Sequence, residues 1–521
     1  MKRLQTPWVW GLMLAACAWG LFLRTYNLRT RPFWADEAWV ADTVTKLSYG
    51  ELLRQTDVPL PPLFGVLLRF MLGRGTPPEV WLRLLPAVCG VLALPGVYAV
   101  ARLLRGTRAL ALAATGLCAS SIMLVIWSRE LKQYSFEGLV SVLAALLVFG
   151  ARRSGARTRW IIGAALVALC LVAPWWGYGS VFPLAAITPF LLIGRPLVGS
   201  RRSLIAVGLA SLVGLAVSLA VLRTTVAGAQ AANPSLAEFT SKWYLNLGDS
   251  KSWARIGQWT SHATICTVLP TDWFLPVTSD WGTLKLMGTA VLLWLLALLG
   301  VFFWPRHGRL ELAWWLAAPL LLMLCAAILH VYPFGQARMM QFWAAPMLVA
   351  VTSGAVGLWR HGWMLCTDRA GPALACGMLI GLLPAPYVLR VPLQHRYHYC
   401  HNFPAVLKAL AEQRAAGEMV LVTMSAVSCV RYYAPDLPPP VIYAPTTAGV
   451  VQPVEADYGD VAEHAAELAG RRLWLLSVWR PQVRGATIRA LQERGYVVRV
   501  AASSGPDGLH GQAALLVAEW R

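Results

Sequence analysis

The feature that most constrains this 521-residue sequence is a series of long apolar runs. Stretches of about 18 to 22 apolar residues, enough for a helix to cross roughly 30 Å of hydrocarbon, recur along it. They lie near 8–24, 83–104, 109–127, 134–151, 159–176, 180–194, 203–222, 284–304, 311–331, 338–359 and 371–390. Charged residues make up only 13% of the chain and mean hydropathy is +0.55, whereas a soluble domain carries charge on roughly a quarter of its residues. The expected fold class is a polytopic α-helical membrane protein of about eleven transmembrane helices.

The net charge of +20 would suggest nucleic acid in a soluble protein. Here topology accounts for it. Arginines cluster between alternate spans, at Arg102, Arg105 and Arg108, at Arg152, Arg153, Arg157 and Arg159, at Arg195, Arg201 and Arg202, at Arg306 and Arg309, and at Arg360 and Arg369. With Lys2 and Arg3 they mark the cytoplasmic side by the positive-inside rule. The opposite side then receives a first external loop at 25–82, short turns at 128–133 and 175–179, a long loop at 224–283, and everything after about residue 391. No nucleic-acid partner is implied. "LAAC" at 14–17 resembles a lipoprotein cleavage site, but the apolar run continues through Leu23, so the first span reads as an uncleaved anchor.

The texture changes after the last span. "EMVLVTM" (418–424), "RLWLLSV" (472–478), "YVVRVAA" (496–502) and "AALLVAE" (514–519) read as short buried strands. Helical segments near 403–416, 458–469 and 483–494 alternate with them, as in small α/β domains. The expected organisation is a transmembrane catalytic domain at 1–390 and a soluble external α/β domain at 391–521.

Two adjacent acids, Asp36 and Glu37, follow the first span in "RPFWADEAWV". A carboxylate at mid-bilayer costs about 2.5 to 3.5 kcal/mol, so the pair belongs just above the hydrocarbon. Val40, Val44 and Leu47 then form one stripe of an interfacial helix ending at Gly50. Asp36 there is either a helix cap, with Glu37 as a first-turn acid, or a general base; adjacent helical residues diverge by about 100°, so only one acid addresses a given proton.

Cations are expected on the same face of the membrane. "WSRELKQYS" (127–135) forms a turn between spans, and on a helix starting there Arg129 and Lys132 share a face suited to a phosphate. "FGQARMMQFW" (334–343) brings Arg338 to the same level. Each is alternatively a snorkelling anchor.

Together, the Asp-Glu pair, "PPLF" (61–64), "SRELKQYS", "GQAR" (335–338) and the external tail resemble the GT-C glycosyltransferases, in particular the bacterial family 39 branch. That branch includes relatives of protein O-mannosyltransferases and of the lipid A aminoarabinose transferase. The resemblance implies an enzyme of the bacterial inner membrane with its N-terminus in the cytoplasm. It also implies a polyprenyl-phosphate sugar as donor, with a lipid, protein or polysaccharide hydroxyl as acceptor. Carried over, Asp36 is the base, Glu37 its neighbour, and Arg129 lies near the donor phosphate; Lys132 and Arg338 join it on charge and position. Many members carry His where this chain has Leu60, and Asp57 is the candidate substitute. A divalent metal, Mg²⁺ or Mn²⁺, suits the carboxylates, with Glu130 and Asp272 as candidate further contacts. Two other readings stay open, a lipid-linked saccharide ligase or polymerase, and a non-enzymatic carrier or flippase of such a lipid.

Overall fold

The computed structural model describes residues 6–54 except 27 and 30, 60–72, 78–193, 200–232, 280–332, 337–363, 403–422, 424–439, 441–443, 472–477, 491–493, 495–503 and 514–520. It also describes isolated positions at 198, 488, 489 and between 245 and 267. The expected span at 371–390 and the helix at 458–469 lie outside these residues. Contacts divide the chain into two compact units, Met1–Tyr26, Arg83–Arg223 and Trp243–Leu393 forming one, and Asn27–Leu82, Thr224–Lys242 and Gln394–Arg521 the other.

In chain order the helices are α1 (Thr6–Thr25), α2 (Ala35–Lys46), α3 (Tyr49–Arg54), α4 (Pro62–Leu72), α5 (Pro78–Leu103), α6 (Arg108–Ser120), α7 (Ile122–Ser128), α8 (Tyr134–Arg153) and α9 (Ala156–Trp176). There follow α10 (Val181–Ile187), α11 (Phe190–Ile193), α12 (Arg201–Ala232), α13 (Asp280–Phe303), α14 (Arg306–Ile328), α15 (Gln341–Trp363), α16 (Phe403–Gln413) and α17 (Met424–Tyr433). Among the described residues six helices are long and apolar enough to cross a membrane, or seven when α6 and α7 are taken as one bent span. Shorter apolar helices stand at three further expected spans, Val9–Thr25, Tyr178–Ile193 and Gly288–Phe303. The protein is a multi-pass membrane protein.

Burial sorts the helices of the first unit. The apolar windows of α8 and α15 are 78% buried, those of the other crossing helices 33–44%, so α8 and α15 are the inner helices and the rest present one side to lipid. Close approach of α13 and α15 depends on small residues. A Cβ on Gly300 would stand 1.8 Å from the Ala350 carbonyl oxygen, and one on Gly354 1.9 Å from that of Leu296. This is how membrane helices gain dispersion contact where apolar burial drives nothing. Tryptophan indoles buried between helices find acceptors: Trp315 donates to the Ser141 hydroxyl (3.1 Å) and Trp343 to the Leu316 carbonyl (2.9 Å).

Among the described residues, Arg105, Arg152, Arg153 and Arg159 gather at one end of this bundle. Glu311 accepts from Arg152 (2.6 Å) and Arg153 (3.1 Å), and the buried Arg159 donates to the carbonyls of Ala151, Ser154, Val198 and Ser200. The 128–133 turn, between α7 and α8, lies at the other end.

Two spans that read as continuous are broken. At Ser121 the helix bends by 53°, because the Ser121 hydroxyl accepts the Leu124 N–H (3.5 Å) as a new N-cap and donates to the Thr267 carbonyl (2.7 Å). Serine hydroxyls compete in this way with the helical ladder. The 180–194 run divides at Thr188–Pro189, where proline offers no N–H.

The second unit carries a five-stranded sheet of order β2-β1-β3-β5-β4, from β1 (Met419–Val422), β2 (Val441–Tyr443), β3 (Leu473–Ser477), β4 (Tyr496–Ser503) and β5 (Ala514–Trp520). β1 pairs parallel with β2 and β3, and β5 antiparallel with β3 and β4. All five residues of β3 are buried, as a central strand covered on both faces requires. The four expected strands are present; β2 is a fifth, at the edge of the sheet, within the proline-rich stretch 434–445 that reads as a loop or an edge, and α17 is a helix that local pattern leaves unmarked. The first loop, placed by sequence with the transmembrane part, packs its α2 against α17.

Candidate functional site

The acid pair stands at the start of α2, and the two carboxylates have separate surroundings. The helix begins at Ala35, two residues earlier than a cap at Asp36 would require. The N-cap is Trp34, in extended conformation with no side chain able to cap. Glu37, fully buried, supplies what is lacking: its Oε2 accepts the Trp34 backbone N–H (3.3 Å), half of a capping box. Arg31 lies 3.9 Å from the same oxygen. Asp36 is partly exposed and takes no part in that cap. α2 ends at Lys46 rather than Gly50, because Arg69 of α4 donates to the carbonyls of Val44 (3.1 Å) and Thr45 (2.6 Å) and closes its last turn.

α2 is held from the tail. Tyr433 Oη accepts the Phe33 N–H (2.6 Å), and the Tyr432 ring packs on Phe33 with centroids 5.4 Å apart. Cys429 is buried on α17. Burial, and then the negative charges of Asp36 and Asp42, push its thiol well above the usual range. Asp42 is itself 7% exposed and pairs with Lys46 at 2.6 Å. Sequence reasoning passed over Asp42 and the two tyrosines; the only local signal was the Tyr-Tyr doublet after a buried cysteine. Leu60, at the position where histidine was expected, is buried and packs over Gly65.

The second group of candidates lies in the other unit. The 128–133 segment is the turn between spans that the sequence suggests, and no helix starts within it to carry Arg129 and Lys132. α7 ends with the Arg129 N–H on the Ile126 carbonyl (2.9 Å), and the chain turns with the Lys132 N–H on that of Glu130 (2.7 Å) before α8 starts. The helical-face argument for Arg129 and Lys132 therefore does not apply. Snorkelling does not describe them either, since Arg129 is 4% and Lys132 7% exposed and a snorkelling cation keeps its head in water. Arg129 Nη1 donates to the Leu23 carbonyl (2.6 Å), and Glu130 is buried beside it in the chain. Arg338 falls in a 3-10 turn, Ala337–Met340, that packs on α7; its side chain is outside the described residues, as are Asp57 and Asp272. Among the described residues no three His, Cys, Asp or Glu side chains come together as a metal-holding group.

A helical membrane unit whose first loop folds with a C-terminal α/β unit around an acid-bearing helix defines a class. Solved structures of other proteins share this fold. Among solved structures, ArnT from Cupriavidus metallidurans in the apo state matches over 98% of both chains, with a TM-score of 0.55 and 12% identity. The oligosaccharyltransferase of Archaeoglobus fulgidus in the apo form matches over 96% of this chain and 74% of its own, with a TM-score of 0.54 and 15% identity. The same archaeal protein tethered to an acceptor peptide containing the NVT sequon gives 0.53 at 14% identity, over 99% and 74%. No family model and no curated protein matches the sequence. At these identities the likeness is one of fold.

Proposed function

We propose that the protein is an integral membrane glycosyltransferase that moves a sugar from a polyprenyl-phosphate donor to an acceptor hydroxyl, with Asp36 as general base. The carrying observation is the division of labour between the two acids. Glu37 has its carboxylate committed to the Trp34 N–H and to Arg31, while Asp36 is partly exposed at the positive end of α2. A base must reach its proton within about 2.6–3.2 Å, and of the two acids Asp36 is the residue that is partly exposed. The fold supports the class of reaction: one neighbour is by name an oligosaccharyltransferase and holds an acceptor peptide.

In this reading the acceptor oxygen loses its proton to Asp36 and attacks the anomeric carbon on the face opposite the phosphate. The carbon–oxygen bond to phosphate breaks, its electron pair leaves with the polyprenyl phosphate, and configuration inverts. An ionised phosphodiester needs no general acid. Arg129, Lys132 and Arg338 are the groups assigned to the charge that develops on the leaving phosphate, where preorganised cations act most strongly. A divalent metal, if bound, would add charge stabilisation there; Asp36, Asp57, Glu130 and Asp272 are the oxygen donors proposed for it. The arginine-rich end of the bundle is assigned to the cytoplasm of a bacterial inner membrane, and the 128–133 turn and the tail to the outer side.

A carrier reading draws on one observation. Glu137, fully buried in the first turn of α8, accepts the Gly179 N–H (2.9 Å) inside a predicted span, and intramembrane acids often mark transport paths. One substitution separates the two. Purified Asp36→Asn, given a panel of polyprenyl-phosphate sugars with release of polyprenyl phosphate measured, should lose about 10² to 10⁴ in turnover and still bind donor. Turnover equal to that of the parent protein would overturn the proposal.

A further inference from the structure

The break between α6 and α7 is capped by a side chain from another helix. Arg24, in the last turn of α1, is fully buried. Its Nη1 donates to the carbonyls of Gly20 (3.0 Å) and Ala119 (3.1 Å), its Nη2 reaches that of Cys118 (3.5 Å), and its Nε donates to the Ser128 hydroxyl (3.3 Å). Cys118 and Ala119 lie in the last turn of α6, where the bend deprives carbonyls of their helical donors and leaves the negative end of the helix dipole. Ser128 is the last residue of α7. One guanidinium thus joins the end of one half-helix to the end of the other.

The bond is returned. Arg129, the residue after Ser128, donates from Nη1 to the carbonyl of Leu23, the residue before Arg24. α5 closes the arrangement at Gly90, where a Cβ would come within 2.2 Å of the Ser128 hydroxyl and 2.8 Å of Arg24 Nε. A cavity of about 20 Å³, lined by Arg24, Ser128, Ser135 and Gln341 among others, adjoins this point. The Gln341 carboxamide there is buried with neither its oxygen nor its nitrogen hydrogen-bonded to protein.

We propose that Arg24 is a positioning residue for the donor phosphate: by bracing both ends of the broken span it fixes the 128–133 turn and so the placement of Arg129 and Lys132. This rests on the reading that those cations hold the phosphate. Arginine is required because a planar fork reaches two carbonyls of α6 and a hydroxyl of α7 at once, which a single ammonium does not.

The experiment uses the purified full-length protein as Arg24→Met, Arg24→Lys, Gly90→Ala, Arg129→Met and Arg159→Met. It measures donor KM, kcat at saturating donor, and the thermal midpoint. Arg24→Met should raise donor KM about tenfold, the equivalent of one misplaced charge-assisted hydrogen bond, with kcat within about twofold. Arg24→Lys should recover part of the loss, and Gly90→Ala, which drives Ser128 away from Arg24, should reproduce it. Arg159→Met, which removes an equally buried arginine at the other end of the bundle, should lower the midpoint and leave donor KM unchanged. In combination with Arg129→Met, Arg24→Met should add little further to KM, as coupled residues do. A lowered midpoint with unchanged donor KM in Arg24→Met overturns the inference. Should that variant fail to fold, unchanged KM in both Arg24→Lys and Gly90→Ala overturns it. Unchanged donor KM in Arg129→Met instead overturns the assignment of the cations themselves.

Discussion

Replacing each acid of the pair in turn should separate a structural role from a chemical one, because their surroundings set different costs. Glu37→Ala removes the acceptor of the Trp34 N–H, worth about 0.5–2 kcal/mol for a helix cap. It also removes the carboxylate beside Arg31, whose side chain is 11% exposed; breaking a buried pair costs about 3–5 kcal/mol, and the long 3.9 Å separation places this one at or below the lower bound. The sum is about 3 kcal/mol for loosening α2. Asp36→Asn forfeits only a first-turn charge, about 0.3–1 kcal/mol. Cys429 reports the difference, since it is buried on the helix that α2 packs against. Alkylation of its thiol, followed by mass spectrometry at fixed pH, should be about 10²-fold faster in Glu37→Ala, at a factor of ten per 1.4 kcal/mol. In Asp36→Asn it should change by less than about tenfold while turnover collapses. Equal labelling in the two variants would refute the assignment of Glu37 to the cap, and retained turnover with fast labelling in Asp36→Asn would refute that of Asp36 to chemistry.

Two further outcomes follow from packing and charge. Gly300→Leu should prevent assembly of α13 on α15, because the Cβ alone would overlap the Ala350 carbonyl; a variant recovered from detergent at parental yield and midpoint would contradict that crossing. Glu418 accepts from the Trp474 indole (2.6 Å) and the Ala415 N–H (2.9 Å) and pairs with Arg472. Burial works to raise its pKa, but these donors outweigh it and hold the carboxyl below its ordinary 4.5. A depressed carboxylate contributes stability above the unfolded pKa and loses it as pH falls through the folded value. The thermal midpoint of the parent protein should therefore fall as pH drops below about 4.5, and that fall should be smaller in Glu418→Gln.

The distribution of apolar runs was enough to read a membrane bundle, because span length against bilayer thickness is a one-dimensional signal. The four strands of the tail were legible for a like reason, since each is a short apolar run between turn residues. The acid pair was legible as a place, though not as two different roles. That Glu37 caps and Asp36 does not depends on Trp34, a residue no capping rule would choose, and on Arg31 folding back beside the carboxylate.

What only the tertiary structure decided lies between segments distant in the chain. Ser121 splits a continuous apolar run because Thr267 accepts from it and Arg24 takes up the freed carbonyls of α6. The 128–133 turn bends instead of continuing a helix, with Arg129 donating to Leu23. α2 rests on a tail helix some four hundred residues away, with Tyr433 closing on Phe33. By itself the sequence determined which segments are apolar enough to leave water, since a transfer free energy belongs to each residue singly. It did not determine which carbonyl or carboxylate each buried cation answers, because that energy arises only once two separate stretches of chain have been brought within hydrogen-bonding distance.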